Sequence, residues 1–460
     1  MATVAAIVLN TVTRDARVLK EADTLAGAGH LVTIIGLADR NNPAEEERRA
    51  SGVRIVRVDA TTLGQRRIRR VRTLLPRAAA VVAICAVPLF ALLLRRSSRS
   101  TIASACVAGS IGAGARVALR QGSSTRTKAS GVYRFVRNRA AGQLVKRLRE
   151  GLIHEELGRI DPDVVHCHDL PTLGTGVRYA RRHPGVRVVY DSHEIFEEVS
   201  QLSRRRRLLS RIQQRHHSRH VDAFITVNES IRDLLNERYP SLPPGVVVKN
   251  ATALELSDRA STTPLRTAVG AGPDTRIILF HGGLARFRGL EHLLNAAPLI
   301  PDWLVVFMGW GPLETELRRV ARERGYDNVR FLPGVPHDDL LDWASGATLG
   351  AITYENVCLN HWYCSPNKLW EYPAAGVPIL ASAFPEMRRT ITTNGIGVVL
   401  DEEVSAAAIA RAVQALTDED LHTMRTAAAR FAADDNWTVY ALRLVDVYAS
   451  LSENARAGHQ

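Results

Sequence analysis

Lys368 and Glu371 stand three residues apart in the run Ser365-Pro366-Asn367-Lys368-Leu369-Trp370-Glu371-Tyr372, where a proline-containing turn opens into a helical pattern. A helix start presents unpaired backbone N–H groups, and an ammonium beside them makes a seat for phosphate oxygens. An exposed ion pair on the helix surface is the other use of the same two residues. Upstream, the apolar run RIILFHGG closes on His281, Gly282 and Gly283, with Arg288 before Gly289. Glycines let the backbone approach an anion closely, and an arginine fork meets charge that develops on a departing diphosphate. In the first half, VVYDSHE ends on Asp191, His193 and Glu194, and VVHCHD ends on His166, His168 and Asp169. A histidine at the carboxyl end of a strand suits hydrogen bonding to hydroxyls. Strand alternation puts His166 and His168 on one face with no third ligand nearby, so no metal is expected.

These residues need strands to aim them and helices to flank those strands. Val4 to Leu9 is a short apolar run, Val18, Ala22 and Leu25 repeat at helical spacing, and LVTIIGL follows as a second strand. The same alternation returns at DPDVVHCHD, VRVVYDSHE and VDAFITVNESIRDLL, and after a breaker-rich stretch it restarts at RIILFHGG. The fold class expected is therefore α/β, with two doubly wound, Rossmann-like domains. Residues 1–250 form the N-terminal domain with an insertion at 61–149, residues 251–275 the linker, residues 276–435 the C-terminal domain, and residues 436–460 a closing helix. No Gly-x-Gly-x-x-Gly follows the first strand, which disfavours an NAD dehydrogenase.

The chain carries 60 Lys or Arg against 47 Asp or Glu, a net charge of +13. The excess is local: from Thr61 to Arg149 there are 19 Lys or Arg and no Asp or Glu, and the remaining body is mildly acidic. Those cations are interleaved with aliphatic runs, not with aromatic stacking residues, so no nucleic acid is expected. Ala78 to Leu94 is 17 residues without a charge, with Pro88 inside it, bracketed by Arg77 and Arg95-Arg96. It reads as core-packed helices, a monotopic or re-entrant helix, or a span, with the monotopic form favoured. An anionic membrane surface is the partner expected for residues 66–149. Five cysteines form no Cys-x-x-Cys pair, and the N-terminus has no basic n-region. A cytoplasmic protein, peripheral at the inner membrane face, is expected.

The segment from Ser365 to Pro378 resembles the donor motif of family 4 glycosyltransferases of the GT-B fold (glycosyltransferase group 1), in the Ser-Pro-Asn-Lys-Leu-aromatic-Glu branch. The resemblance implies two facing domains with a cleft between them, and a retaining, metal-independent hexosyltransferase using a UDP- or GDP-sugar. That nucleotide sugar is a substrate, and no cofactor is expected. The acceptor implied is a sugar, a lipid-linked group or a cell-envelope glycan. It gives Glu371 to the ribose, Lys368 and Arg288 to the diphosphate, and His193 to the donor sugar across the cleft. Gly282, Gly283, Gly309, Gly311, Gly334, Ser365, Pro366, Asn367 and Leu369 fall on the donor side. Asp15, Arg17, His168 and Asp169 fall on the acceptor side. Two positions depart from the pattern. Tyr363 stands where the family's first glutamate contacts the donor sugar, and Gly283 stands where an arginine is frequent, with Arg286 as its substitute nearby. A nucleotide-sugar 2-epimerase and a non-catalytic GT-B scaffold are the competing readings.

Overall fold

The computed structural model describes residues 1–13, 15–39, 41–43, 46–59, 145–200, 202–253, 264–401 and 403–457. The apolar runs at 78–94 and 101–119, and the insertion up to residue 144, lie outside the described residues. Among those described, no helix is long and apolar enough to cross a membrane.

Strands β1 (Thr3–Ile7), β2 (Leu31–Leu37), β3 (Glu46–Arg48), β4 (Arg54–Val58), β5 (Val164–His168), β6 (Arg187–Ser192), β7 (Ala223–Thr226) and β8 (Gly245–Val247) form one sheet. Its order is β3-β4-β2-β1-β5-β6-β7-β8. All ladders in it are parallel except β3 on β4, an edge hairpin that the alternating pattern does not announce. Strands β9 (Arg276–Gly283), β10 (Trp303–Trp310), β11 (Val329–Leu332), β12 (Leu349–Ile352), β13 (Ile379–Ala381) and β14 (Gly397–Val399) form a second, wholly parallel sheet. Its order is β11-β10-β9-β12-β13-β14.

Each sheet starts in its middle, grows outward to one side, then returns to the first strand and grows to the other. The reversal falls between β1 and β5 in the first sheet and between β9 and β12 in the second. Loops leave such neighbouring strands in opposite directions, so a crevice opens at their carboxyl ends. Both faces of the sheets are buried, as parallel sheets require: along β1, Val4 and Ala6 join one apolar cluster, and Ala5 and Ile7 join the other.

The domains touch on two sides. On one, the closing helix Trp437–Ala457 lays Trp437, Tyr440, Leu444, Tyr448 and Leu451 into the core at helical spacing. Trp437 Nε1 donates to Thr24 Oγ1 at 3.0 Å, and Tyr448 Oη meets His166 Nδ1 at 2.9 Å, so the helix is held to the first sheet. Each such aromatic stabilises the contact by about 1.5–3 kcal/mol through burial. On the other side, the segment after β12 reaches across. Asn360 accepts from Ile195 N at 2.8 Å and donates to Glu194 at 3.0 Å, while Asn228 donates to Tyr363 O and Ser365 Oγ at 2.8 and 2.9 Å.

Candidate active site

The second sheet's reversal point gathers two cations. Near the end of β9, Gly282 has φ +103°, and a Cβ there would lie 3.4 Å from Lys368 Nζ. The loop then turns at Gly289, φ +66°, where a Cβ would fall 1.7 Å from the carbonyl oxygen of Thr353 just past β12. Only glycine allows that approach, and the approach brings Arg288 beside Tyr354. Arg288 Nη1 donates to Tyr354 Oη at 3.2 Å, and Lys368 Nζ lies 3.5 Å from the same oxygen. Among the described residues no carboxylate forms an ion pair with either cation. A buried ammonium and a guanidinium thus share one phenol oxygen with no carboxylate in ion-pair contact among the described residues, which is the electrostatic condition for holding an anion.

Glu371 is buried one turn further along the helix Lys368–Ala374. Burial raises its pKa, against the pull of Lys368, His337 and Lys20. Its Oε2 lies 3.7 Å from His281 Nε2, a buried nitrogen with no hydrogen-bond partner among the described residues. Burial and the Lys368 charge push the His281 pKa well down, so the imidazole is neutral. Lys20 reaches this carboxylate's field from the opposite domain; burial, reinforced by Arg17, lowers its pKa to about 8, and Nζ donates to Ala251 O at 2.5 Å.

The first sheet's reversal point holds a different constellation. Arg17 binds Asp191 through two 2.9 Å bonds, pairs with Glu21 at 2.9 Å, and donates to Val248 O and Asn250 Oδ1. His166 and His168 stack with ring centroids 4.4 Å apart, and His168 Nδ1 meets His193 Nε2 at 3.1 Å. His193 Nε2 also lies 3.1 Å from Asp191 Oδ2, and its Nδ1 lies 3.6 Å from Asp169 Oδ2. Burial disfavours the imidazolium, but Asp169 and Asp191 outweigh it and raise the His193 pKa to about 9.

The absence of a third ligand beside His166 and His168, expected from strand alternation, does not hold. The two strand histidines do have further ligand-type neighbours: Glu21, His166, His168 and Asp191 are buried with one ligand atom each within 4.8 Å of the others. Glu21 comes from the first helix and Asp191 from β6, which strand alternation alone cannot reveal. The guanidinium of Arg17 already answers both carboxylates, so a divalent ion would press a second cation against it.

Between the two reversal points lies a cleft of about 380 Å³ lined by Asn10, Thr11, Asp15, Ala16, Arg17, His193, Asn250, His337 and Asn367. Asp15 accepts from Val18 N at the start of the first helix and from Asn10 Nδ2. Asp169, at φ +63°, accepts from His193 N at 2.9 Å and so sets that loop. Of the remaining donor-side residues, Gly309 and Gly311 pack against the backbone of Gly282 and Leu284, and Gly334 packs under the Trp310 ring. Arg286 is exposed and Leu369 is core. Pro366 accepts from Leu369 N within the turn, whereas Ser365 is spent on Asn228. Tyr363 packs against the N-terminal apolar cluster, which explains its departure from an acidic residue: the position faces the other domain's core. Sequence reasoning missed Tyr354, Lys20, Asn250 and His337. Tyr354 had a signal, since it follows a strand at a reversal point.

The Glycosyltransferase Family 4 profile matches residues 113–256, and the Glycosyl transferases group 1 profile matches residues 262–432. The chain is 29% identical over 241 residues to D-inositol 3-phosphate glycosyltransferase 1 of Catenulispora acidiphila, covering 48% of this chain and 53% of that protein. It is 27% identical over 162 residues to the colanic acid biosynthesis glycosyl transferase WcaI of Escherichia coli, covering 34% and 39%. The chain thus spans about half the length of the first of these curated relatives. Among solved structures, sucrose-phosphate synthase from Thermosynechococcus elongatus superposes with a TM-score of 0.69 at 16% identity, over 99% of this chain and 100% of that one. HepE from Anabaena in complex with UDP-glucose superposes with a TM-score of 0.62 at 12% identity, over 98% and 100%. With both sheets, the facing crevices and both profiles in agreement, the chain belongs to the GT-B glycosyltransferases of family 4 (group 1).

Proposed function

We propose that the chain is a retaining, metal-independent hexosyltransferase that takes its sugar from a UDP- or GDP-sugar. The observation that carries this reading is the meeting of Lys368 and Arg288 at Tyr354 Oη, beside the glycine turn at Gly282 and Gly283, without a carboxylate in ion-pair contact among the described residues. The diphosphate takes the place of the missing counter-charge, Glu371 accepts from the ribose hydroxyls, and the donor sugar points across the cleft toward His193. The UDP-glucose complex of HepE supports a uridine nucleotide. In the reaction the bond between the anomeric carbon and the diphosphate oxygen breaks, and the acceptor oxygen bonds to that carbon from the same face. The acceptor's proton passes to the departing diphosphate, whose growing charge Lys368 and Arg288 stabilise. Fixed cations replace a metal in this step.

His193 Nδ1–H is the donor for a sugar hydroxyl, because Nε2 is engaged by Asp191 at 3.1 Å whereas Nδ1 lies 3.6 Å from Asp169, beyond hydrogen-bond distance. The acceptor is a lipid-linked or cell-envelope glycan at the cytoplasmic membrane face, approached through the basic residues 66–149. Incubation with a panel of UDP- and GDP-sugars tests the reading. Slow release of free nucleotide from at least one donor is expected, with the α-anomer retained in any glycoside formed from an α-linked donor. The absence of both binding and hydrolysis with every donor in the panel would remove the assignment.

A further inference from the structure

The helix Arg204–His217 reverses the usual arrangement of a surface helix. Its inward side is polar: Arg207 and Arg211 hold Glu198 at 3.6 and 2.6 Å, Gln214 is buried, and His217 Nε2 packs against Gly174. Its outward side carries Leu208, Leu209 and Ile212, exposed by 59%, 62% and 56%. Arg204, Arg205, Arg206 and Arg215 surround them, all exposed, and none of the four pairs with a carboxylate among the described residues. From Val199 to Val221 the chain holds no Asp or Glu.

Water is the wrong neighbour for three adjacent aliphatic side chains, and the arginine ring around them selects what replaces it. The chain's own insertion carries 19 cations and no acids between Thr61 and Arg149, so it repels this face. A second copy would bring the same arginines. Nucleic acid would ask for stacking aromatics, and residues 204–215 contain none. An anionic bilayer fits both features, with the aliphatic tips entering the boundary between headgroups and acyl chains and the guanidinium groups meeting lipid phosphates. We propose that this helix docks the first sheet onto an anionic lipid surface. Glu198, which anchors the helix, lies five residues past His193, so docking fixes the cleft's orientation to the bilayer. The docking does not depend on the donor assignment, nor on how residues 66–149 behave.

Co-sedimentation of the full chain tests it, using phosphatidylcholine vesicles with and without phosphatidylglycerol. The wild type is expected to pellet only with the anionic vesicles. The variant Leu208→Gln/Leu209→Gln/Ile212→Gln is expected to bind about tenfold more weakly or worse at every salt concentration. Arg204→Gln/Arg205→Gln/Arg206→Gln is expected to weaken binding and flatten its salt dependence. Retained UDP binding and an unchanged melting curve show that both fold. Should the triple aliphatic variant misfold, Leu209→Gln alone carries the test, with a smaller loss of the same sign. Wild-type-like pelleting of both variants would overturn the proposal, and if Arg95→Gln/Arg96→Gln then abolished pelleting, the insertion would be the anchor. A wild type that stays in the supernatant overturns it as well. So does a wild-type dimer that the aliphatic variant converts to a monomer without any vesicle binding, which makes the face a self-association surface.

Discussion

The two reversal points share a topology and differ in how they treat charge. At the first, Arg17 is answered by Asp191 and Glu21, and the histidines are held among the same carboxylates. At the second, Lys368 and Arg288 meet at the Tyr354 phenol oxygen, Lys368 lies over the Phe280 ring, and neither cation is ion-paired with a carboxylate among the described residues. The strand order is the same kind of reversal in both, so topology alone does not say which crevice binds an anion. Charge satisfaction does. A closed network holds a scaffold in place, and an open one waits for a ligand.

Breaking the closed side should cost the most stability. Asp191→Ala takes the bidentate partner from the buried Arg17 guanidinium and leaves it Glu21 alone, and removing one partner of a buried ion pair costs about 3–5 kcal/mol, read as a lower denaturation midpoint. An unchanged midpoint would mean that the network is not what holds the first sheet's loops. On the open side, Arg288→Ala and Glu371→Ala should each lower turnover about 10²-fold, on the order of 3 kcal/mol, while the melting curve hardly moves. A large loss of stability in these variants would erase the contrast. Third comes the pH dependence of His193. Its pKa is raised to about 9 from 6.5, so its protonated form stabilises the fold fully below about pH 6.5, and that contribution is lost as pH rises through about 9. The stability gap between wild type and His193→Gln, on the order of 3 kcal/mol, should close over that window. A pH-independent gap would detach His193 from its carboxylates. Smallest is Tyr354→Phe, which removes the oxygen between the two cations and should weaken nucleotide binding by about 1 kcal/mol.

Much of the open side was legible in the sequence, because its parts are local. Ser365 to Tyr372 sit within one turn and one helix, and Gly282 to Gly289 within the end of β9 and the loop after it, so spacing carries the geometry. The closed side was not legible, since Arg17 and Asp191 are 174 positions apart and only the winding of β1, β5 and β6 brings them together. The same distance effect hid Glu21 from His166 and made the histidine pair look short of ligands. Tyr363 read as a departure from a donor contact because its true neighbour is the other domain's core. The β3 hairpin has three exposed charged residues and no apolar period to mark it. The expectations for 78–94 and the rest of the insertion up to residue 144 fall on residues outside those described.

The central claim is that the second reversal point binds the nucleotide diphosphate through two cations, Lys368 and Arg288, that form no ion pair among the described residues. Titrating UDP and GDP into the wild type and into Lys368→Ala by calorimetry tests it directly. The account predicts measurable binding of one nucleotide to the wild type and a loss of about 10²-fold in Lys368→Ala, on the order of 3 kcal/mol, with the melting curve unchanged. Equal affinity in both proteins would contradict it.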